Sequence, residues 1–460
     1  MTTLSQQLSD FVGQLKVEQI PPATVEHAQL HALDALGCGI AAHAFGQAGY
    51  ALATAREIGG SGPATAIGAT GLSPADAAFV TGTLCHALDF DDTHPVSVVH
   101  VSAGVVPAAI VAARAAGATG ADLLAAIVAG NEVSVRVGNA AAGVFHARGF
   151  HPTGVCGVFG ATAAASRARG LDAGQIANAL GIAGSMASGL LEFLADGSET
   201  KRLHPGWAAR AGLTAAALAA HGATGPSTVF EGTRGYYATY VHGADSDLGS
   251  EVADLGERWV TDEIAYKPYP ACHYTHAPVD ALAEVLAATP LRADEIRSMT
   301  GFTTETGVAL VCEPAADKVH PRTAYDAKFS LPYCLATRLV TGRLDVGSFT
   351  EEAITDPDVA ALTPLIGHEL RRYSASPDSF GGGVRVETVD GRVLEHEFRY
   401  QRGGAENPLT SADVLDKFRT NAGYGLPPEH VAALERSTLE LAGAHDVSYL
   451  DVLASATERK

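Results

Sequence analysis

The apolar pattern of this chain changes period once and then changes back, and that limits the folds open to it. To about residue 240 apolar positions recur with helical spacing. Residues 5–15 form an amphipathic stretch, Pro21-Pro22 interrupts it, and 23–42 resumes it. Ser73 before Pro74 predicts a helix start, a hydroxyl acceptor followed by a residue that needs no amide partner. That helix is expected to run to about Leu88. Others are expected at 103–116, 121–141, 160–169, 172–189 and 208–220. The tetrapeptide GATG at 68–71, 117–120 and 222–225 reads as three helix-terminating loops, because its flanks do not recur. Near residue 260 the character shifts. Residues 295–307 and 383–400 alternate with period two, the second around an Asp390-Gly391 hairpin turn, with helical stretches at 278–288 and 329–339. After Glu406-Asn407-Pro408-Leu409-Thr410 the chain ends helical. The expected fold is mainly α with an α+β part: a large helical domain from 1–265 and 401–460, the last part packing back on the first, and an α+β domain at 266–400.

Composition narrows the function. Fifty glycines and abundant alanine imply close helix packing, because small side chains let backbones approach. No run of about 18 apolar residues is free of polar ones, so no membrane span is expected. The polar start MTTLSQQLSDFVGQLK lacks the pattern of a signal peptide. Cys38, Cys85, Cys156, Cys272, Cys312 and Cys334 include no C-x-x-C pair and read as reduced thiols, which with the missing signal predicts a cytoplasmic location. The net charge of −20 repels nucleic acid and anionic membranes. For an anionic substrate, the few cations must be concentrated at the site.

Four segments concentrate titratable residues. HALDFDDTHPVSVVH (86–100) holds His86, Asp89, Asp91, Asp92, Thr93, His94 and His100. So many carboxylates and imidazoles are costly to desolvate unless paired or functional. The plain alternative is a solvated acidic helix end. A metal site lacks an H-E-x-x-H pair, and a magnesium–diphosphate site lacks a second Asp-rich segment. RGFHPTGVCGVFGATAAAS (148–166) has Gly154, Gly157 and Gly160 at every third position, which is not the G-x-G-x-x-G of a nucleotide loop and suits tight helix packing; His151 precedes that helix. ADGSETKRLHPGWAARAG (195–212) places Lys201, Arg202 and His204 in a loop before a helix expected from Pro205, an arrangement that attracts anions or forms a surface basic turn. YKPYPACHYTHAP (266–278) gathers Lys267, Cys272, His273 and His276 at the change of architecture. Cys272 with His276 has zinc-like spacing but only two ligands, and a nucleophilic Cys272 beside a histidine is a further option. HPRTAYDAKFSLPY (320–333) adds Arg322, Lys328 and Tyr333.

Taken in order, HALDFDDTH, GFHPTG, DGSETKRLHPGWAARAG, KPYPACHYTH, AKFSLPY and ENPLT resemble the blocks of the MmgE/PrpD family, across nearly the whole chain. That family includes 2-methylcitrate dehydratase, cis-aconitate decarboxylase and iminodisuccinate epimerase. The resemblance implies a helical body built from both chain ends, an α+β lid, a homodimer, and no metal or organic cofactor. By it, Asp89, Thr93 and His100 match the first active-site block, His151 the second, Lys201 the third, Lys267 the lid junction and Tyr333 a lid tyrosine. A gapless comparison places Cys272 where a histidine belongs; a one-residue shift places His273 there. His94 stands where decarboxylase-like members carry tryptophan, and Val101 where proline is usual.

The chemistry expected is proton removal or return next to a carboxylate. Lys201 and Lys267 would bind carboxylates and stabilise the enolate-like species. His100 or His151 would carry the proton. Asp89 would orient a histidine; Thr93 or Tyr333 would donate to oxygen; His204, His273, Cys272 and His276 would line the substrate site. Dehydration of a 2-methylcitrate-like acid is the first expectation, because it is the family's commonest named activity. Decarboxylation, epimerisation and a non-catalytic carboxylate-binding protein are the alternatives. No nucleic-acid or membrane partner is expected.

Overall fold

Helix starts follow the capping residues in the sequence. Thr3, Ser73, Thr119, Asp172 and Thr410 each accept a first-turn backbone N–H on a side-chain oxygen. The structure, a computed structural model, describes residues 2–195, 198–242, 244–373 and 380–459. The chain divides into two units, Met1–Ala265 with Thr410–Lys460, and Tyr266–Leu409. The second boundary falls at 409 rather than 400. Tyr266 N–H donates to the Gly403 carbonyl, and Phe380 N–H to Gln401 Oε1, which ties this stretch to the second unit.

The first unit is built on buried helices, among them Pro22–Ala44, Pro74–His86, Ser102–Ala116, Gly120–Asn139, Gly157–Ala168 and Thr200–Ala220. Their spacing depends on missing side chains. A Cβ on Gly130 would lie 2.9 Å from the Gly160 carbonyl oxygen, and one on Gly160 would lie 2.6 Å from that of Gly130. A Cβ on Gly82 would lie 2.9 Å from the Gly206 Cα. Backbones this close exclude even alanine.

Three expectations are corrected here. Residues 60–72 contain a hairpin, β1 (Ser61–Ala66) paired with β2 (Ala69–Leu72), so GATG at 68–71 is its turn and second strand. Gly68 takes φ +74°, which suits the turn, and strands this short and rich in small residues show no usable alternation. The helix expected over 172–189 is Ala173–Ala183. The helix expected from Pro205 begins at Thr200, so Lys201, Arg202 and His204 sit on its first turns and not in a loop. Pro205 forfeits one main-chain bond inside it. The next residue, Gly206, lies against the helix of Gly82.

The C-terminal helix Ser411–Ala422 packs on Pro22–Ala44. Lys417 Nζ lies 2.6 Å from Asp34 Oδ1, donates to the Phe90 carbonyl at 2.7 Å and sits over the Phe90 ring. Burial works against the ammonium, but the Asp34 carboxylate outweighs it and holds the Lys417 pKa up.

The second unit is a four-stranded sheet in the order β4-β3-β5-β6: β3 Ile296–Thr303, β4 Ile366–Leu370, β5 Gly382–Thr388 and β6 Val393–Phe398. β3 runs parallel to β4 and antiparallel to β5 in register, Met299 opposite Ile366 and Val386. Gly391 turns the β5–β6 hairpin at φ +90°, as the Asp390-Gly391 pair predicts. Helices His276–Ala288 and Leu331–Thr341 bury Leu282, Leu335 and Cys334 with Met299, Val384 and Val386. Among the described residues no helix is long and apolar enough to cross a membrane.

Replacing Lys417 with methionine leaves Asp34 buried without its cation. The expected cost is about 3–5 kcal/mol in denaturant unfolding, with most of it recovered when Asp34 is replaced by leucine in the same chain. A loss no larger than that of an exposed lysine would show that the pair carries no such role.

Candidate active site

The site of the first unit is assembled where Pro74–His86 ends. His86, the last residue of that helix, is buried. The chain then enters a loop with two non-glycine residues in the left-handed region, Asp89 at φ +55° and Val98 at φ +56°. Aspartate tolerates this region; a β-branched valine does not, and each such residue costs on the order of 1–3 kcal/mol. The loop is held by its neighbours. Thr93 and Ala265 exchange two backbone bonds of 2.9 and 3.0 Å, His94 N–H donates to the Val99 carbonyl, and His100 N–H donates to Thr153 Oγ1 at 3.0 Å. Asp92 accepts the Ser102 N–H at 3.1 Å and lies 2.8 Å from His31 Nδ1.

Asp91 is the centre of the loop. Its Oδ2 lies 2.8 Å from His86 Nδ1 and 3.3 Å from His100 Nδ1, and His100 Nδ1 lies 3.1 Å from Thr93 Oγ1. Burial opposes its charge, but His86 and His100 outweigh burial and hold the carboxyl well below the usual carboxylate range. An ionised carboxylate only accepts hydrogen bonds. Both imidazoles therefore carry Nδ1 protons toward it. His86 Nε2 is buried with no hydrogen-bond partner among the described residues.

Two further histidines face these. His151 precedes the short helix Pro152–Val155, and its N–H donates to the Gly189 carbonyl at 2.9 Å. Its ring stacks 5.7 Å from His86 and stands 6.1 Å from His100. His151 Nδ1 lies 2.9 Å from His204 Nδ1, with Phe193 against both rings. Burial, then the charges of His86, Lys201, His204 and His100, push the His151 pKa well below its ordinary value. Burial, then His86 and Lys201, push His204 down to about 4. Lys201 Nζ is 2.8 Å from Asp89 Oδ1, and both retain partial exposure at the side chain.

Asp89, Thr93, His100, His151, Lys201 and His204 thus come together in one unit. His86 and Asp91 were not among the residues singled out for the site, and both belong to it. The signal was present in the sequence as an acid five residues beyond a histidine at a helix end, inside a segment too polar to bury without pairing. In the second unit, Lys267 is buried, Cys272 N–H donates to the Lys328 carbonyl, and His273 packs on Phe380. His276 Nε2 lies 3.0 Å from the Ala271 carbonyl, so that nitrogen is the protonated one. Tyr333 sits in the core of the second unit, its hydroxyl donating to the Ser348 carbonyl at 2.5 Å and its pKa pushed to about 12 by burial. That proton is committed to the main chain.

The ring nitrogens of His86, His100 and His151 lie within 4.8 Å of one another, as do the ligand atoms of Asp89, Asp91 and His100. Either set has the spacing to hold a divalent cation. The sets share His100, and a cation at the second would face Lys201 across Asp89.

The profile of the MmgE/PrpD N-terminal domain matches residues 6–248, and that of the C-terminal domain matches 269–441. The chain is 32% identical to the human cis-aconitate decarboxylase over 83% of this chain and 79% of that protein. It is 28% identical to a cis-aconitate decarboxylase-like protein of Aspergillus oryzae over 98% of this chain and 96% of the relative. It is 25% identical to a 2-methylcitrate dehydratase of Cupriavidus necator over 92% and 91%.

The His204 pKa, near 4 against 6.5 for a free histidine, fixes a pH dependence. Between those values the unfolded chain binds a proton that the folded chain refuses, so stability falls as pH falls and is unaffected above about 6.5. The His204→Phe variant should lose about 2–3 kcal/mol less than the parent when unfolding is measured across that window. Parallel curves for the two proteins would remove the assignment.

Proposed function

The chain belongs to the MmgE/PrpD family, and we propose that it is a lyase acting on a small tricarboxylate by proton transfer next to a carboxylate. The observation that carries this reading is the buried set His86, His100 and His151, ordered on Asp91 and His204, beside a lysine held by Asp89. A proton α to a carboxylate is weakly acidic. Its removal, or the loss of carbon dioxide, leaves negative charge that needs a cation already in place. Lys201 supplies that cation, and Asp89 fixes the ammonium so that no reorientation is needed during reaction. His100 has its Nδ1 proton directed at Asp91 and Thr93, so Nε2 faces the task of taking or giving the substrate proton. His151, kept uncharged by burial, is the second carrier.

Of the finer readings we take decarboxylation of a cis-aconitate-like acid first and dehydration of a 2-methylcitrate-like hydroxy acid second. Relatives named as decarboxylases match at higher identity than the one named as a dehydratase. This reverses the order expected from the sequence. Epimerisation of an iminodisuccinate-like acid would use the same two proton carriers. We further propose a cytoplasmic homodimer that works without a metal or organic cofactor.

Incubation with cis-aconitate and with 2-methylcitrate in heavy water, followed by NMR, tests the reading. Carbon dioxide release with deuterium in the product marks decarboxylation, and water loss marks dehydration. Exchange alone marks epimerisation, and binding without any of these marks a non-catalytic protein. Lys201→Ala and His100→Ala should each lower turnover by on the order of 10²–10³ with the fold unchanged by circular dichroism. Normal turnover in folded Lys201→Ala defeats the proposal.

A further inference from the structure

The contact between His151 and His204 joins Nδ1 to Nδ1 at 2.9 Å. Such a contact is a hydrogen bond only if one nitrogen carries the proton and the other offers a lone pair. The two neutral rings are therefore opposite tautomers at that contact. When His204 accepts, His151 is protonated at Nδ1 and bare at Nε2, a base. When His204 donates, His151 is protonated at Nε2, an acid. The two states exchange when His151 Nε2 gains a proton, one proton passes between the two Nδ1 atoms, and His204 Nε2 gives one up.

The surroundings oppose charge on the inner ring. His151 is 4% exposed. Facing it are His86 from the end of Pro74–His86, His100 from the loop, Lys201 one turn before His204 on the same helix, and the Phe193 ring. Lys201 is paired to Asp89, and Asp91 is shared by His86 and His100, so among the described residues no carboxylate is paired with His151. His204 keeps partial exposure to solvent. It is the one member of the pair with a route to water. A Cβ on Gly189 would lie 3.3 Å from the His204 ring, so the main chain there also fixes the ring's position.

We propose that His204 is the positioning residue that makes His151 a reversible proton carrier, passing the proton between a buried ring and solvent. This deepens the proposed function and rests on it. In the forward direction the substrate C–H bond breaks, its electron pair stays on carbon, and the proton goes to His151 Nε2. The Nδ1 proton of His151 moves to His204 Nδ1, and His204 releases its Nε2 proton to water. The reverse sequence delivers a proton to the carbanion left by carbon dioxide. His151 is uncharged at the start and end of each transfer.

Two measurements test this. In the intact chain carrying isotope-labelled histidine, nitrogen NMR should show His151 and His204 as opposite tautomers, with the pair losing its neutral signature in one coupled step on acidification. That readout needs no substrate, so it stands even if no tricarboxylate turns over. In kinetics, His204→Asn keeps an acceptor for His151 Nδ1–H but cannot relay, so KM should stay near the parent value while kcat falls about 10–100-fold. His204→Ala should be restored in part by added imidazole, saturably. Unchanged kcat in folded His204→Asn, loss without imidazole rescue, or two rings that titrate independently as the same tautomer would each overturn the proposal.

Discussion

A buried carboxylate shared by two imidazoles organises the first unit. Asp91 has no exposure, and in an apolar interior a lone carboxylate takes up a proton rather than stay charged. It stays ionised because His86 and His100 reach it from different elements, one at the end of a helix and one beyond a loop. To bring both rings to one oxygen, the main chain turns through left-handed residues at Asp89 and Val98. The bonds from Thr93 to Ala265 and from His100 to Thr153 hold that strained path. Strain, tautomer and charge at the site are thus one arrangement.

Close helix packing sets where the remaining groups stand. Gly206 lies against the helix that ends in His86, and it follows His204 by two residues. This glycine contact places Lys201 and His204 opposite the loop. On the far side, Asp34 and Lys417 fasten the C-terminal helix to Phe90, the residue before Asp91. Distant ends of the chain meet around one short polar loop.

Much of this was legible in the sequence. The capping residue Ser73 placed one helix start, and Asp390-Gly391 placed the hairpin, because both act through local backbone chemistry. The polar density of 86–100 marked the loop, since charge in such a segment must be paired or solvated. Pro205 misled, because a rule for helix starts says nothing of tertiary contacts. The hairpin at 61–72 and strand β4 lacked the β-branched alternation that identifies longer strands. His86 and Asp91 were in view as residues but not as a pair. Their partnership depends on the path of the loop, which no spacing rule contains. Tyr333 was singled out by its match to a lid tyrosine of the family; only the fold places its hydroxyl against the Ser348 carbonyl.

The charge balance gives the site its chemical direction. Asp89 and Lys201 cancel, and Asp91 leaves the neighbourhood one negative charge to be shared by His86 and His100. Around it is a chain of net charge −20, and within it His151 and His204 resist protonation. An anionic substrate entering such a place adds negative charge beside imidazoles, and each added charge favours the protonated form. His100 lies with Nδ1 against Asp91 and Thr93. His151, held neutral by burial and by the ring behind it, stays free to take a proton. Two buried rings are thus set apart by what stands at their backs, a carboxylate behind His100 and a second imidazole behind His151.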